Sequence, residues 1–287
     1  MIYLITGGTG TFGRAMVERL LKTDAEEIRV FSRDEAKQHT MKLEIKDDRV
    51  KYFIGDVRNR DSLTAAIWNV DYVFHAAAMK HVWSCEQFPW EAILTNVLGT
   101  KCVIEACHMA NVKKFILLSS DKAVYPSSVM GMTKALAEKL LCLKGSTTLC
   151  GVRFGNLINS RGSVIEVWKR QKERGESYTV TDLNATRFIS TIEQAVNHVM
   201  DIFDTGFNDV VYPLRTEATT VRNLLLAFSN KLYTDVNETG LQPGEKMHEW
   251  LDEYTCSDRA AQYTPDELKE MIHGKPREMF NEAKDYL

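Results

Sequence analysis

The sequence predicts an α/β protein: a Rossmann-like, doubly wound parallel sheet with a smaller C-terminal substrate lobe. Short apolar runs at residues 2–5, 28–31, 50–54, 71–74, 114–119 and 147–153 alternate with segments of helical periodicity. A glycine-rich turn follows the first run, and polar turns follow several others. In such sheets the ligands bind at the carboxyl ends of the strands.

Composition narrows the class of protein. The 287 residues are 44% hydrophobic and 26% charged, with a formal net charge of -3 and a pI near 6.2. This balance argues against a general nucleic-acid or anionic-membrane surface, and no run approaches the ~18 apolar residues of a membrane span. The six cysteines form no Cys-x-x-Cys pair, which favours reduced thiols in the cytoplasm. The scattered histidines and cysteines predict no metal site.

The first strand leads into a glycine turn. Glycines at 7, 10 and 13 precede an apolar helical pattern at residues 15–21. Glycine lets a phosphate approach the backbone, and free N–H groups at a helix N-terminus attract its charge. The turn therefore predicts a dinucleotide site, with the binding residues Gly7, Thr9, Gly10, Thr11, Phe12 and Gly13.

The end of the second strand bears on the choice of cofactor. A site for NAD usually has an acid there, but Ser32 and Arg33 occupy these places and suit a 2′-phosphate. The sequence thus favours NADP, with Arg33, Asp34, Lys37 and Gln38 beside it. The alternative is that Arg33 and Lys37 are solvated charges that open a helix.

Two further strand ends are predicted to border the cofactor. Asp56 and Val57 follow the third strand, where an acid can accept from the adenine amino group. After the fourth strand, Ala76, Ala77 and Ala78 allow close backbone approach, and Lys80 is a candidate for substrate. His81 fits a structural or solvent-exposed role better than a catalytic one.

The turn after the fifth strand is rich in groups that transfer protons. Residues 118–134 include Ser119, Ser120, Asp121, Lys122 and Tyr125. Helices are predicted on either side, at 91–110 and about 127–144. The sixth strand leads to a loop that contains Asn156.

The pattern changes after residue 163. We predict an NADP-binding domain over residues 1–163, with a further strand near 209–213. Residues 164–287 form mainly the substrate lobe and a charged tail, and the tail over 265–287 is expected to pack lightly. Helices are predicted at 164–174, 192–203 and 220–232, with a loop at 240–246.

Together these motifs resemble the extended short-chain dehydrogenase/reductase family: Gly-x-x-Gly-x-x-Gly, Gly-Asp-Val, His-Ala-Ala-Ala, Asn-x-x-Gly-Thr, Ser-Ser-Asp-Lys and Arg-Phe-Gly-Asn. Further segments resemble the UDP-N-acetylglucosamine 4,6-dehydratases within it: Asp34-Glu-Ala-Lys-Gln38, Ala78-Met-Lys80-His-Val, Ser120-Asp-Lys-Ala-Val-Tyr-Pro126, Ser160-Arg-Gly-Ser-Val and Pro243-Gly-Glu-Lys. The resemblance covers about residues 2–251.

The resemblance implies an activity and its residues. It implies bound NADP, UDP-N-acetylglucosamine as substrate, and inversion at C5 to give UDP-2-acetamido-2,6-dideoxy-β-L-arabino-hexos-4-ulose. Asp121 and Lys122 would be the elimination pair, with Lys122 as the C5 base, and Ser120 or Ser119 would bond the C4 oxygen. It also implies a homo-oligomer, a dimer or larger, built on the helices from Glu91 and Ser127.

Substrate contacts carry over by the same resemblance. The candidates for sugar, uridine or diphosphate are Lys80, Asn156, Thr181, Arg187 and Arg215, with Asn156 also near the cofactor. Arginine suits diphosphate because it can bond bidentately. The family commonly has an arginine close before Gly-Glu-Lys, but this chain has Gln242. One expected diphosphate contact is therefore weakened, which makes Arg187 and Arg215 stronger candidates for that role.

One position departs from the family. The usual Tyr-x-x-x-Lys pair has a tyrosine as C4 base and a lysine that holds the ribose, yet here Met130 precedes Lys134. A thioether has no titratable proton. Three interpretations remain: Lys122, Lys134 or Asp121 takes the C4 proton in a methionine-bearing subgroup; Tyr125 reaches the site; or oxidation is lost and the protein only binds NADP. A UDP-hexose 4-epimerase is the alternative enzyme.

Overall fold

The structure is a computed structural model that describes residues 1–230 and 235–274. In chain order the strands are β1 (Ile2–Thr6), β2 (Glu27–Ser32), β3 (Val50–Ile54), β4 (Tyr72–His75), β5 (Lys114–Leu118), β6 (Thr148–Arg153), β7 (Asn156–Leu157), β8 (Tyr178–Val180), β9 (Thr186–Ser190), β10 (Val211–Pro213), β11 (Ala218–Thr220) and β12 (Val236–Glu238).

The α-helices are α1 (Thr11–Leu20), α2 (Glu35–Ile45), α3 (Arg60–Ile67), α4 (Val82–Gln87), α5 (Pro89–Ala92), α6 (Gly99–Met109), α7 (Val129–Lys139), α8 (Val164–Arg174), α9 (Ile192–Thr205), α10 (Val221–Ser229) and α11 (Pro265–His273). A π-helical segment joins α5 to α6 at Ile93–Leu98. Short 3₁₀ turns lie at Asp121–Ala123 and Leu140–Cys142.

Seven parallel strands form the main sheet, in the order β10-β6-β5-β4-β1-β2-β3. Successive residues of β1 point to opposite faces: Tyr3 and Ile5 pack with α1 and α9, while Leu4 packs with α3, α6 and α7. The central strands β1, β4, β5 and β6 are therefore buried on both sides, which explains their continuous apolar runs. The predicted Rossmann-like doubly wound fold is confirmed.

The smaller lobe contains a three-stranded sheet, β11-β9-β7, and a two-stranded sheet, β12-β8. Its core packs Trp168 of α8 against Phe228 of α10, with ring centroids 5.7 Å apart. The chain does not stay in this lobe after residue 163, because α9 and β10 return to the main sheet. The boundary at residue 163 remains a prediction.

Two predicted helices differ from those in the structure. The segment 91–110 is not one α-helix, because its backbone widens at Ile93–Leu98 and brings Asn96 against the Met79 backbone. The helix predicted at 127–144 begins after the Ser128 cap and ends at Lys139.

The predicted tail packs more tightly than expected over its first part. Helix α11 begins with a Thr264–Glu267 capping box and buries Leu268 and Ile272 in the small-lobe core. Residues 275–287, and 231–232 of the predicted helix 220–232, lie outside the described residues. Over residues 1–230 and 235–274, no helix is both long and apolar enough to cross a bilayer.

Candidate active site

The strand order reverses at β1, which has β2 on one side and β4 on the other. The glycine turn leaves β1 at this point. Gly7 has φ +69°, and a Cβ there would lie 2.7 Å from the Ala77 nitrogen, so only glycine lets the two turns meet. The turn of Ala76, Ala77 and Ala78 thus lies against the glycine turn, at the reversal of strand order where doubly wound sheets bind their ligands.

A cleft of about 500 Å³ opens beside the start of α1, and Thr9, Gly10, Thr11, Lys37 and Arg161 are among its lining residues. No side chain caps α1, so the N–H groups of its first turn are available to an anion. The Phe12 ring faces away and stacks on Phe154 in the core, which leaves only its backbone for a cofactor. This arrangement fits a pyrophosphate.

The side chains after β2 divide into structural and accessible groups. Gln38 is buried and donates to Ser32 and to the Phe53 carbonyl, so its amide holds β2 to β3. Asp34 caps α2 and pairs with Lys37. Arg33 is 58% exposed, and its guanidinium is 3.6 Å from Asp56, which leaves it accessible at the crevice rim.

The Asp56 carboxylate is already paired. Burial would raise its pKa, but Arg58, 2.7 Å away, and Arg33 hold the pKa below its ordinary value. An ionised Asp56 remains able to accept a further hydrogen bond. Its neighbour Val57 is a core residue, against which Gly99 of α6 packs without a Cβ.

Ser120, Asp121 and Lys122 form one hydrogen-bonded group directly after β5. Ser120 Oγ donates to Asp121 Oδ1 at 2.8 Å, and Lys122 Nζ lies 3.1 Å from the same oxygen. Asp121 has no exposed surface, and its Oδ2 has no hydrogen-bond partner in the described residues. Burial raises the pKa of Asp121, which Lys122 offsets only in part.

Lys122 is the accessible member of this group, with 20% of its side chain exposed. Its Nζ lies 3.2 Å from Asn156 Oδ1 on β7. Burial alone would lower the pKa of Lys122, but the carboxylates of Asp121 and Glu249 raise it above its ordinary value. The fold therefore brings Asn156, a sequence candidate for cofactor and substrate, beside Lys122, although the two residues are far apart in the chain.

Glu249 was not identified from the sequence. Its Oε1 lies 3.5 Å from Lys122 Nζ, and its Oε2 lies 2.9 Å from Lys246 Nζ. Lys246 also donates to the Val124 carbonyl at 2.9 Å, which fastens the predicted loop 240–246 to the turn after β5. No periodicity or motif spacing distinguishes Glu249 from other acids in the C-terminal third, since only the fold places it beside Lys122.

Met130 and Lys134 lie on the buried side of α7. The Met130 side chain packs in an apolar cluster with Cys85 and Ala92. Lys134 Nζ donates to the Leu118 carbonyl at 2.8 Å, and burial lowers the pKa of Lys134 to about 8. Gly131 lets α7 approach the turn, because a Cβ there would lie 2.3 Å from the Lys122 carbonyl oxygen.

The two serines of the motif have different surroundings. Ser119 Oγ donates to Glu138 at 2.5 Å, and Arg153 donates to the same carboxylate at 2.8 and 2.6 Å. The Ser119 hydroxyl is therefore already hydrogen-bonded to Glu138. Ser120 is the serine that lies with Asp121.

The remaining candidates are less closely gathered. Arg187 on β9 donates to the Met247 carbonyl at 3.1 Å and lies near enough to lower the pKa of Lys122. Lys80 donates to the Arg161 carbonyl, and the Arg161 N–H donates to Thr11 Oγ1. Arg215 is 72% exposed and pairs with Asp252 at 3.1 Å. Thr181 is half-buried after β8.

Tyr125 lies at the surface. Its φ of +45° is unusual for a bulky residue, its side chain is 57% exposed, and its ring meets Trp250 edge-on at 5.4 Å. The described contacts give its hydroxyl no link to Asp121 or Lys134.

Comparisons with known proteins identify the family of this chain. A family model described as polysaccharide biosynthesis protein matches residues 3–267. A protein of Rickettsia akari named UDP-glucose 4-epimerase is 43% identical over 261 residues, which cover 86% of this chain and 76% of the relative.

Solved structures are similar over nearly the whole chain. Pen from Bacillus thuringiensis is 34% identical with a TM-score of 0.89, and the match covers 94% of this chain and 96% of that one. A dTDP-glucose 4,6-dehydratase, DesIV from Streptomyces venezuelae, was solved with NAD bound; it is 20% identical with a TM-score of 0.82, over 94% and 95% of the two chains. This second likeness shows the fold alone. The chain belongs to the polysaccharide biosynthesis protein family, within the nucleotide-sugar epimerase and dehydratase superfamily.

Proposed function

We propose that the protein is a UDP-N-acetylglucosamine 4,6-dehydratase that uses NADP and inverts C5. The observation that carries the proposal is the Ser120–Asp121–Lys122 group at the carboxyl end of β5, beside the dinucleotide crevice. A 4-epimerase needs no acid–base pair for elimination. A buried carboxylate joined to an accessible amine suits the removal of one proton and the delivery of another.

NADP is favoured over NAD by the residues at the end of β2. The accessible Arg33 guanidinium and the Lys37 ammonium at the start of α2 suit a 2′-phosphate. Bound NADP would accept a hydride from the sugar C4 and return one to C6. Lys134, whose Nζ lies under the β5 end, would contact the ribose.

The absence of tyrosine makes Asp121 the best candidate for the C4 base. Because Asp121 is fully buried, the sugar would reach it through Ser120. The C4 hydroxyl proton passes to Ser120 Oγ while Ser120 passes its own proton to Asp121. The raised pKa of Asp121 favours this acceptance.

The same proton transfer prepares the elimination. A protonated Asp121 no longer raises the pKa of Lys122, so the Lys122 ammonium can release its proton to solvent, and the resulting amine takes the C5 proton. The departing C6 hydroxyl takes up the proton held by Asp121. A proton from solvent would then add to the opposite face of C5 and give the inverted product.

Substrate binding is proposed for the side of the site that faces the smaller lobe. Arg187 lies near Lys122 and is the first candidate for the diphosphate, with Arg215 and Lys80 farther out. Asn156 would bond both Lys122 and the sugar, and Thr181 would lie near the uridine.

A UDP-hexose 4-epimerase is the second candidate, because the 43% identical relatives carry the name UDP-glucose 4-epimerase. Against it, the Asp121–Lys122 pair would have no elimination to carry out in a 4-epimerase.

The deciding experiment is NMR of the protein with NADP and UDP-N-acetylglucosamine in deuterated water. We expect a 4-keto-6-deoxy sugar with deuterium at C5, and Asp121→Asn should abolish it. A C4 epimer that retains its C6 oxygen would instead establish the epimerase. Tight NADP binding without turnover of any UDP-sugar would indicate instead that the protein binds NADP but is not an enzyme.

A homo-dimer is also proposed. Helix α7 and the π-helical segment expose apolar side chains: Leu98 is 41%, Met132 48% and Leu136 52% exposed. A second copy would cover them across a two-fold axis. Light scattering should give the dimer mass for the wild type and a lower mass for Leu136→Glu.

A further inference from the structure

Glu249 is a buried carboxylate whose backbone is fixed on both sides. Only 2% of the residue is exposed. Its N–H donates to Ser257 Oγ at 2.9 Å, and its carbonyl accepts from the Ser257 N–H at 2.9 Å. The carboxylate therefore has little freedom to move away from its partners.

Those partners are two ammonium groups. Lys122 Nζ lies 3.5 Å from Oε1, and Lys246 Nζ lies 2.9 Å from Oε2. The Arg187 guanidinium is the third positive group near enough to act on Glu249. Around Lys122, the charged groups are the carboxylates of Asp121 and Glu249 and the guanidinium of Arg187.

The charges in this cluster hold Glu249 ionised. Burial alone would raise the pKa of Glu249, but Lys122 and Lys246 outweigh burial and lower it. Burying a carboxylate is costly unless its partners compensate. Fastening the loop does not require Glu249, because Lys246 already bonds the Val124 carbonyl.

We propose that Glu249 is a positioning residue that acts through Lys122, holding its Nζ beside Asp121 and stabilising its protonated form. The inference rests on the function proposed above. It adds a carboxylate that keeps its charge while Asp121 carries the substrate proton. Orienting a proton-transfer group and stabilising its charged form is what the buried aspartate does in a Ser-His-Asp triad.

The test is Glu249→Gln, which keeps the shape and removes the charge. Lysines labelled with ¹³C at Cε report their own titration by NMR, and Lys122→Arg identifies the Lys122 signal. We expect Glu249→Gln to lower the pKa of Lys122 by about one unit or more, a tenfold change in its proton affinity. Glu249→Asp should restore part of this shift.

The pH profile of kcat/KM gives a second readout. The limb set by Lys122 should move to lower pH in Glu249→Gln, whether the lysine gives or takes the proton. The matched control is Glu253→Gln, the same change at an exposed acid four positions along, which should leave the titration and the profile unchanged.

The two hypotheses fail separately. An unchanged Lys122 titration in folded Glu249→Gln, confirmed by its circular dichroism, would overturn the role of Glu249 even if the rate fell. If the wild type turned over no nucleotide sugar, the proposed function would fail, while the lysine titration would still decide whether Glu249 controls Lys122.

Discussion

Replacing Glu138 by glutamine should destabilise the protein more than any surface charge change. The Glu138 carboxylate is 7% exposed and accepts from Ser119 and twice from Arg153, whose side chain is 20% exposed. Removing one charge of a buried pair leaves the other uncompensated and typically costs ~3–5 kcal/mol. Because glutamine keeps one acceptor oxygen, we expect about 3 kcal/mol.

This free energy corresponds to a measurable change in melting temperature. With an unfolding entropy of about 2.1 cal/mol/K per residue, the 287 residues give about 0.6 kcal/mol/K, so the melting temperature should fall by about 5 °C. Calorimetry or circular dichroism measures the shift.

A control separates burial from charge. Glu105 pairs with Lys101 one turn away on α6, and both side chains are almost half exposed. Glu105→Gln should therefore change stability by less than about 0.5 kcal/mol. Equal melting temperatures for the two variants would refute the argument that burial makes the Glu138 pair important.

Three further predictions concern the site. Gly131→Ala should destabilise the protein by about 1–3 kcal/mol in urea unfolding and slow turnover, because the new Cβ would lie 2.3 Å from the Lys122 carbonyl. The pKa of Lys134 is about 8 in the folded protein, below its ordinary 10.5, so the unfolded chain binds this proton more strongly. The free energy of unfolding should therefore rise between about pH 8 and 10.5. Thermal melts across this range should show no such rise for Lys134→Met. Met130→Tyr should not accelerate sugar-dependent reduction of the cofactor, measured at 340 nm; strong acceleration would show that no other group has fully replaced the tyrosine.

The sequence by itself determined the sheet, the crevice and half of the site. Buried parallel strands appear as continuous apolar runs, and a glycine turn after the first strand marks the crevice, because both signals are local. The Ser120–Asp121–Lys122 group was equally predictable, since its residues are adjacent and follow a strand.

Only the tertiary structure determined which residues from distant parts of the chain contact each other in the site. Glu249 meets Lys122 only because Ser257 fixes its backbone and Lys246 anchors the loop before it. Likewise, Ser119 differs from Ser120 because Glu138 lies beneath one and not the other. Periodicity reports which face of an element is buried, but it carries no information on which charged side chain from another element shares that burial. The pKa of Lys134, and the part of the Lys122 pKa shift that comes from burial and Glu249, therefore follow from the packing and not from the motif that contains these lysines.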